Sequence, residues 1–140
     1  VTARVWLYEQ LTEFPGLVTI WGDRVFAKKS MTSNREEHPF GVYKLGYAAN
    51  EDIAEEMPED KDVYRQFAQV FIHDYSDEKT GDYMRIDDII YQLKLAVHGK
   101  GSAEHGVINC KVIEVSQDLN DETLNTVFKY VRLQLATKEK

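Results

Sequence analysis

Gln66-Phe67-Ala68-Gln69-Val70-Phe71-Ile72-His73-Asp74-Tyr75 is the stretch that decides the fold. Ala68, Val70 and Ile72 alternate with Phe67, Gln69, Phe71 and His73. Successive side chains of a strand point to opposite faces, so this is a strand with apolar residues on both. Such a strand belongs in the middle of a sheet, with cover on both sides.

Downstream the period becomes helical. Tyr83, Ile86, Ile90, Leu93 and Val97 form one stripe, widened by Ile89 and Ala96, with Arg85, Asp88, Gln92 and Lys94 toward the polar side. Asp77–Asp82 before it reads as a turn, and Gly99 is placed as a C-terminal cap. Gly99–Gly106 is flexible by composition. Val107–Val115 reads as a strand with Ile108, Cys110 and Val112 on one face, and Ser116–Thr123 as a polar connector. Val127–Leu135 is the last strand, with Val127, Val131, Leu133 and Leu135 alternating with Phe128, Tyr130, Arg132 and Gln134.

Upstream, Thr2 can cap a helix running to about Glu13, with Val5, Tyr8, Leu11 and Thr12 on one face and Leu7 beside them. Phe14-Pro15-Gly16 stops it, and Leu17–Ile20 extends the apolar surface. Gly22-Asp23 turns the chain into a short strand, Arg24–Ala27. Lys28–Pro39 is a long polar loop and Phe40–Tyr47 a strand. The order is α-β-β-β-α-β-β. It predicts an α+β fold: a mainly antiparallel four- to five-stranded sheet packed against two helices, with long loops, residues 1–140 forming one domain.

At 140 residues the chain has the length of a single domain, and its 43% hydrophobic and 29% charged residues are the balance of a globular one. Eight Tyr, six Phe and two Trp can fill a core, which excludes wholesale disorder. No apolar run approaches the ~18 residues of a membrane span. Val1–Gln10 has one basic residue and no small-residue cleavage pattern, so it does not read as a signal peptide. The single Cys110 has no partner for an internal disulfide and reads as a buried small hydrophobe. Between Glu51 and Asp62 lie seven acids and one lysine, which account for six of the net charge of −7. This insert reads as a solvated loop, with docking of a basic partner as the alternative. No basic stripe is present to hold a nucleic acid by its phosphates.

Chemical motifs fail one by one. His38, His73, His98 and His105 lack ligand spacing, and one cysteine does not make a structural zinc site. Counting an EF-hand loop from Asp74 puts Lys79 where Gly is required and Arg85 where Glu is required. In Gly99-Lys100-Gly101-Ser102 a glycine interrupts the Gly-Lys-Ser of a phosphate loop, and a strand follows instead of a helix. Asp87 and Asp88 are adjacent on a helix and do not face one site. Ser76, Ser102 and Ser116 sit in no nucleophile elbow. The sequence predicts no catalytic, metal or cofactor site and no enzyme. A free-standing enzyme or regulatory domain using the loops as a ligand site is the competing class.

Five stretches, in this order, carry a resemblance: Trp21-Gly22-Asp23-Arg24-Val25-Phe26; His38-Pro39-Phe40-Gly41-Val42-Tyr43; Arg65 to Asp74; Tyr83-Met84-Arg85-Ile86-Asp87-Asp88-Ile89-Ile90; and Glu114 to Asn125. With them the chain resembles, nearly end to end, the tail terminator (tail-completion) proteins of long, non-contractile-tailed phages, especially those of actinobacteria. The resemblance implies a ring, usually a hexamer, on the head-proximal end of the tail tube. That ring halts tube polymerisation, meets the head-completion or connector protein of the neck, and lets double-stranded DNA pass without specific binding. It implies a place at the tail–neck junction of the virion, in the host cytoplasm during assembly, and no membrane partner. The neighbouring alternative is a head-completion or stopper ring on the capsid side. Lys28, Lys29, Asn34, Arg35, Glu36, Glu37, Glu55, Glu56, Lys100, Asp118, Asn120 and Asp121 are the interface candidates. Lys28–Pro39 and Glu51–Asp62 are expected to be mobile in a monomer and ordered on assembly, since polar segments do not offset their own ordering entropy.

Overall fold

The computed structural model describes residues 2–27, 39–50, 63–75, 83–123 and 125–138. Its elements are α1 (Ala3–Glu13), α2 (Pro15–Trp21), β1 (Val25–Phe26), β2 (Phe40–Asn50), β3 (Val63–Tyr75), α3 (Tyr83–Val97), β4 (Val107–Val115), β5 (Leu119–Asp121) and β6 (Thr126–Lys138). The sheet order is β1-β2-β3-β6-β4, with β5 also paired to β6. β3 and β6 run antiparallel without a break from Val63 opposite Lys138 to Tyr75 opposite Thr126. β2 takes the other side of β3. β4 and β5 lie end to end along the outer side of β6, β4 against Val131–Thr137 and β5 against Thr126–Phe128.

The central strand is where its alternation predicts. Ala68, Val70 and Ile72 are buried on one face, together with Val131, Leu133 and Leu135 of β6 and Cys110 of β4. The helices cover this face. α3 contributes Ile86, Ile89, Ile90, Leu93, Ala96 and Val97, the stripe read from its period. Burial of each large aliphatic among them stabilises the fold by roughly 1.5–3 kcal/mol. The other face is aromatic. Phe40 and Val42 form a second cluster with Phe26 and Phe71. The His73 ring is sandwiched between Phe40 (4.9 Å between centroids) and Phe128 (5.0 Å).

Several expectations need correction. The sheet has six strands instead of four or five, and it is mixed, because β1 pairs parallel with β2. Among the described residues the helices number three. Phe14 before Pro15 is held extended (ψ 124°), which ends α1, while Pro15 sits at the first turn of α2, where a missing N–H costs nothing. The Pro-Gly pair that reads as a stop is therefore also a start. α1 buries Ala3, Trp6, Leu7 and Leu11, leaving Val5 and Tyr8 of the predicted stripe on the outside. Two bulges in β4, between Val107 and Asn109 and between Val112 and Glu114, break the alternation, so Cys110 is buried with Val107 while Ile108 faces out. The polar connector contains β5, and Gly99–Gly106 is an ordered turn closed by paired hydrogen bonds between Ser102 and Val107. β2, β3 and β6 each extend about three residues beyond their sequence-read ends. The Asp77–Asp82 turn, Lys28–His38 and the acidic insert 51–62 lie outside the described residues.

Trp21 joins three elements. It is fully buried, its Nε1 donates to the Leu11 carbonyl at 2.9 Å, and its ring lies against Gly41 at the start of β2. A Cβ at Gly41 would fall 2.7 Å from the ring, which has no free space to move into. Gly41→Ala is expected to cost about 1–3 kcal/mol through overpacking. Gly16→Ala would meet only the end of the Gln92 side chain, which can swing away, and is expected to be near neutral. Urea midpoints of the two variants check this. A Gly41→Ala midpoint equal to wild type would show that Trp21 is not locked.

Candidate assembly surfaces

α3 is pinned to the sheet at both ends, and the pins account for most of the charged side chains near it. At the N-terminal end, Arg85 donates twice to the fully buried Asp74, Nε to Oδ2 at 2.7 Å and a terminal nitrogen to Oδ1 at 2.8 Å. The Tyr75 backbone N–H also donates to Asp74 Oδ1. Lys129 of β6 reaches Asp87 at 2.7 Å and Asp118 at 3.3 Å, and the Tyr83 hydroxyl donates to the Leu119 carbonyl at 2.9 Å. The hydrogen bond to Asp87 raises the Lys129 pKa above its ordinary value, against desolvation, with Asp118 adding to it. Burial, then the Asp118 charge, raises that of Tyr83. At the C-terminal end Gly99, at φ +76°, turns its N–H to the Cys110 carbonyl (2.7 Å), and His98 Nδ1 accepts from the Val112 N–H (2.9 Å).

A third polar group lies in the turn before β4. Ser102 Oγ and His105 Nδ1 are 2.8 Å apart, and His105 Nε2 is 3.5 Å from Glu9 Oε1 of α1. The order serine, histidine, carboxylate invites a nucleophile. The Ser102 N–H, however, is donated to Val107 and the Gly106 N–H to Ala103, so neither is available to an oxyanion. The group ties α1 to the turn. Among the described residues no three His, Cys, Asp or Glu side chains are grouped to hold a metal ion, and no helix is long and apolar enough to cross a membrane.

Of the interface candidates, Lys28, Lys29, Asn34, Arg35, Glu36, Glu37, Glu55 and Glu56 lie outside the described residues. Asp118, Asn120 and Asp121 come together at β5, beside the N-terminal end of α3. Asp118 is partly engaged by Lys129, Asn120 is exposed, and Asp121 lines a cavity. Lys100 stands apart from them, exposed beyond the C-terminal end of α3.

Among the concave surfaces formed by described residues, two are candidates. The first, about 470 Å³, lies on the aromatic face of the sheet, between Val42, Lys44, Phe71, His73, Phe128 and Asp121. Lys44 stands 5.6 Å above the Phe71 ring, and Arg132 nearby stands 5.1 Å above Phe67. The second, about 710 Å³, is a groove between the outer side of α3 and β4. Its apolar residues are Tyr91, Leu95, Ile113 and Val115, exposed by 61, 46, 43 and 37%. Lys94, His98, Lys100 and Glu114 rim it, Glu114 standing 3.7 Å from Arg132. The β4 edge beside it is capped at Cys110 and Val112 by the turn after α3, so the groove offers side chains more than backbone. Contiguous exposed apolar residues with a polar rim mark interaction surfaces.

Sequence reasoning missed the groove. Tyr91 and Leu95 were visible as an i,i+4 apolar pair off the buried stripe of α3. Ile113 and Val115 had no signal, because the β4 bulges set which way they point. No protein-family model matches the chain, and no curated protein matches it.

Burial pushes the Cys110 thiol up to about 12 from 9.0. The unfolded chain loses that proton from about pH 9 and the folded chain only near 12, so this contribution to stability is complete below pH 9 and lost as pH rises through 12. Lys129, also raised, adds a loss above its ordinary 10.5. Stability is expected to fall on the alkaline side. Cys110→Ala, at a neutral-pH cost of about 1–2 kcal/mol, should flatten the fall that begins near pH 9. Lys129→Met should flatten only the part above 10.5. Denaturant midpoints from pH 7 to 11 check both, and an unchanged alkaline slope in Cys110→Ala would contradict the burial of the thiol.

Proposed function

We propose that this protein is a structural ring subunit that terminates a phage tail tube and joins it to the neck. The observation that carries the reading is the ordered set of five stretches from Trp21 to Asn125 resembling the tail terminator proteins. The architecture is compatible with it. A rigid sheet-and-helix core presents two concave surfaces on different sides, and the polar clusters that invite chemistry are consumed in holding α1 and α3 in place.

Geometry limits the number of subunits. A 140-residue domain has a radius of gyration of about 14 Å, equivalent to a sphere roughly 37 Å across. Closed rings of such spheres leave holes of about 6 Å for three subunits, 15 Å for four, 26 Å for five and 37 Å for six. A duplex is about 20 Å wide with dense negative charge, so three or four are too few, and six suits interlocking neighbours. The lumen is neutral or acidic, since a basic wall would hold the phosphates and stall passage.

Electron microscopy of the purified protein with and without tail tubes tests this. Six-fold rings capping one end of the tube are expected. A stable trimer or tetramer, or a lumen lined by Lys and Arg, would defeat the proposal. Rings that ignore tubes and bind capsid connectors would move the protein to the stopper position.

A further inference from the structure

The outer stripe of α1 and the groove beside α3 are complementary surfaces on one molecule. α1 buries Ala3, Trp6, Leu7 and Leu11. At 100° per residue the direction opposite these four is occupied by Val5 and Thr12, with Tyr8 on one flank and Glu9 and Glu13 on the other. Val5 and Tyr8 are 41 and 40% exposed. The stripe thus carries Val5, Tyr8 and Thr12, whose hydroxyl donates to the Tyr8 carbonyl, with exposed Arg4 beyond Tyr8 on one side and the anionic Glu9 and Glu13 on the other, where Glu9 also reaches His105 of its own chain at 3.5 Å. The groove has the opposite excess: an apolar floor of Tyr91, Leu95, Val112, Ile113 and Val115, and a rim carrying Lys94 and Lys100, with Glu114 held 3.7 Å from Arg132 of its own chain. The lengths match, since Val5 to Glu13 rises about 12 Å along its helix and Tyr91 to His98 about 10 Å along α3.

We propose that α1 of one copy of this chain docks into the α3–β4 groove of the next. The occupant is a second copy because this chain itself carries a helix of the right polarity, charge and length. It is not the same copy, because the inner side of α1 is held in its own core. Leu7 and Leu11 are fully buried there, and the Leu11 carbonyl accepts from Trp21 Nε1. Laying an amphipathic stripe into a hydrophobic groove is a general mode of recognition. Two different patches make the contact heterologous, and heterologous contacts propagate until rotation closes them into a ring. The inference deepens the ring reading and rests on it for that closure.

Cross-linking of the full chain tests the contact directly. Val5→Cys and Ile113→Cys are both at exposed positions, and buried Cys110 stays silent. Under a mild disulfide-forming oxidant, a mixture of the two single variants should give cross-linked dimers, and neither alone should. The double variant should give a ladder of dimers, trimers and higher species. Leu95→Asp, with an unchanged circular dichroism spectrum, should weaken self-association by about tenfold or more in sedimentation. Dimers from either single variant alone would show a two-fold contact and overturn the proposal. So would copies that associate, alone or on tail tubes, without the mixed cross-link, and so would a chain whose copies never associate. A ladder without capping of tubes would leave the docking standing and remove the tail-terminator reading. Capping rings without the ladder would do the opposite.

Discussion

The unbroken antiparallel pairing of β3 with β6 is the constraint from which the rest of the molecule follows. Every residue from Val63 to Tyr75 has its partner from Lys138 to Thr126, with no bulge between. A slip of one residue would send Ala68, Val70, Ile72, Val131, Leu133 and Leu135 to the opposite side. The register is safe because the two faces differ in kind. One is aliphatic and fits the ridges of α3. The other is aromatic, with Phe71 near both Phe128 and Tyr130 across the strands. Either slip would set rings against a helix and leave the aliphatics without it. Irregularity is pushed outward to β2 and β4, both of which carry register shifts against their regular neighbours.

Polar groups inside this frame are placed where the sheet ends. Asp74 is fully buried yet bound by Arg85 and the Tyr75 N–H, so its charge is matched. His73, one residue earlier and on the other face, stacks between two phenylalanines and meets Thr126 Oγ1 at 2.8 Å. The pair His73-Asp74 thus finishes β3 by serving both faces at once. Removing the Arg85 side chain would leave a buried carboxylate short of its counter-charge, the kind of loss that costs about 3–5 kcal/mol.

The legible parts of the sequence were those where one period runs long enough to fix a face. β3, β6 and α3 read with the correct buried residues because nine or more positions vote together. What escaped reading was local geometry. The face of α1 is misassigned because Trp6 and Leu7 are adjacent, and tertiary packing on α2, α3 and β1 chose them over Val5 and Tyr8. α2 was hidden by a Pro-Gly pair that both ends and starts a helix. β5 has only three residues, two of them polar, and exists because the edge of β6 is open beside it. The candidate assembly surfaces read mainly as charged loops. Asp118 is exposed but engaged by Lys129 of its own chain, and the groove pairs Tyr91 and Leu95 of α3 with Ile113 and Val115 of the bulged β4.

As the proposed docking surface, the groove depends on polar chemistry beneath it. α3 is fixed at one end by Arg85–Asp74, Lys129–Asp87 and Tyr83–Leu119, and at the other by Gly99–Cys110 and His98–Val112. Both walls are therefore set before a partner arrives: α3 by its pins, β4 by its ladder to β6. Ordering a loose side chain on binding costs about 0.5–1.5 kcal/mol, and a preformed wall avoids part of that cost. Tyr91 and Leu95 stand on a regular helix, where rotamers are few, and Ile113 is β-branched and stiff. An interface of a few such residues can hold without large area, provided many copies engage at once. In a closed ring each subunit is held by two neighbours, so losing one copy requires breaking two contacts. That is the setting in which a modest apolar groove with a weak cationic rim suffices, and in which a stronger one would risk joining copies outside the ring.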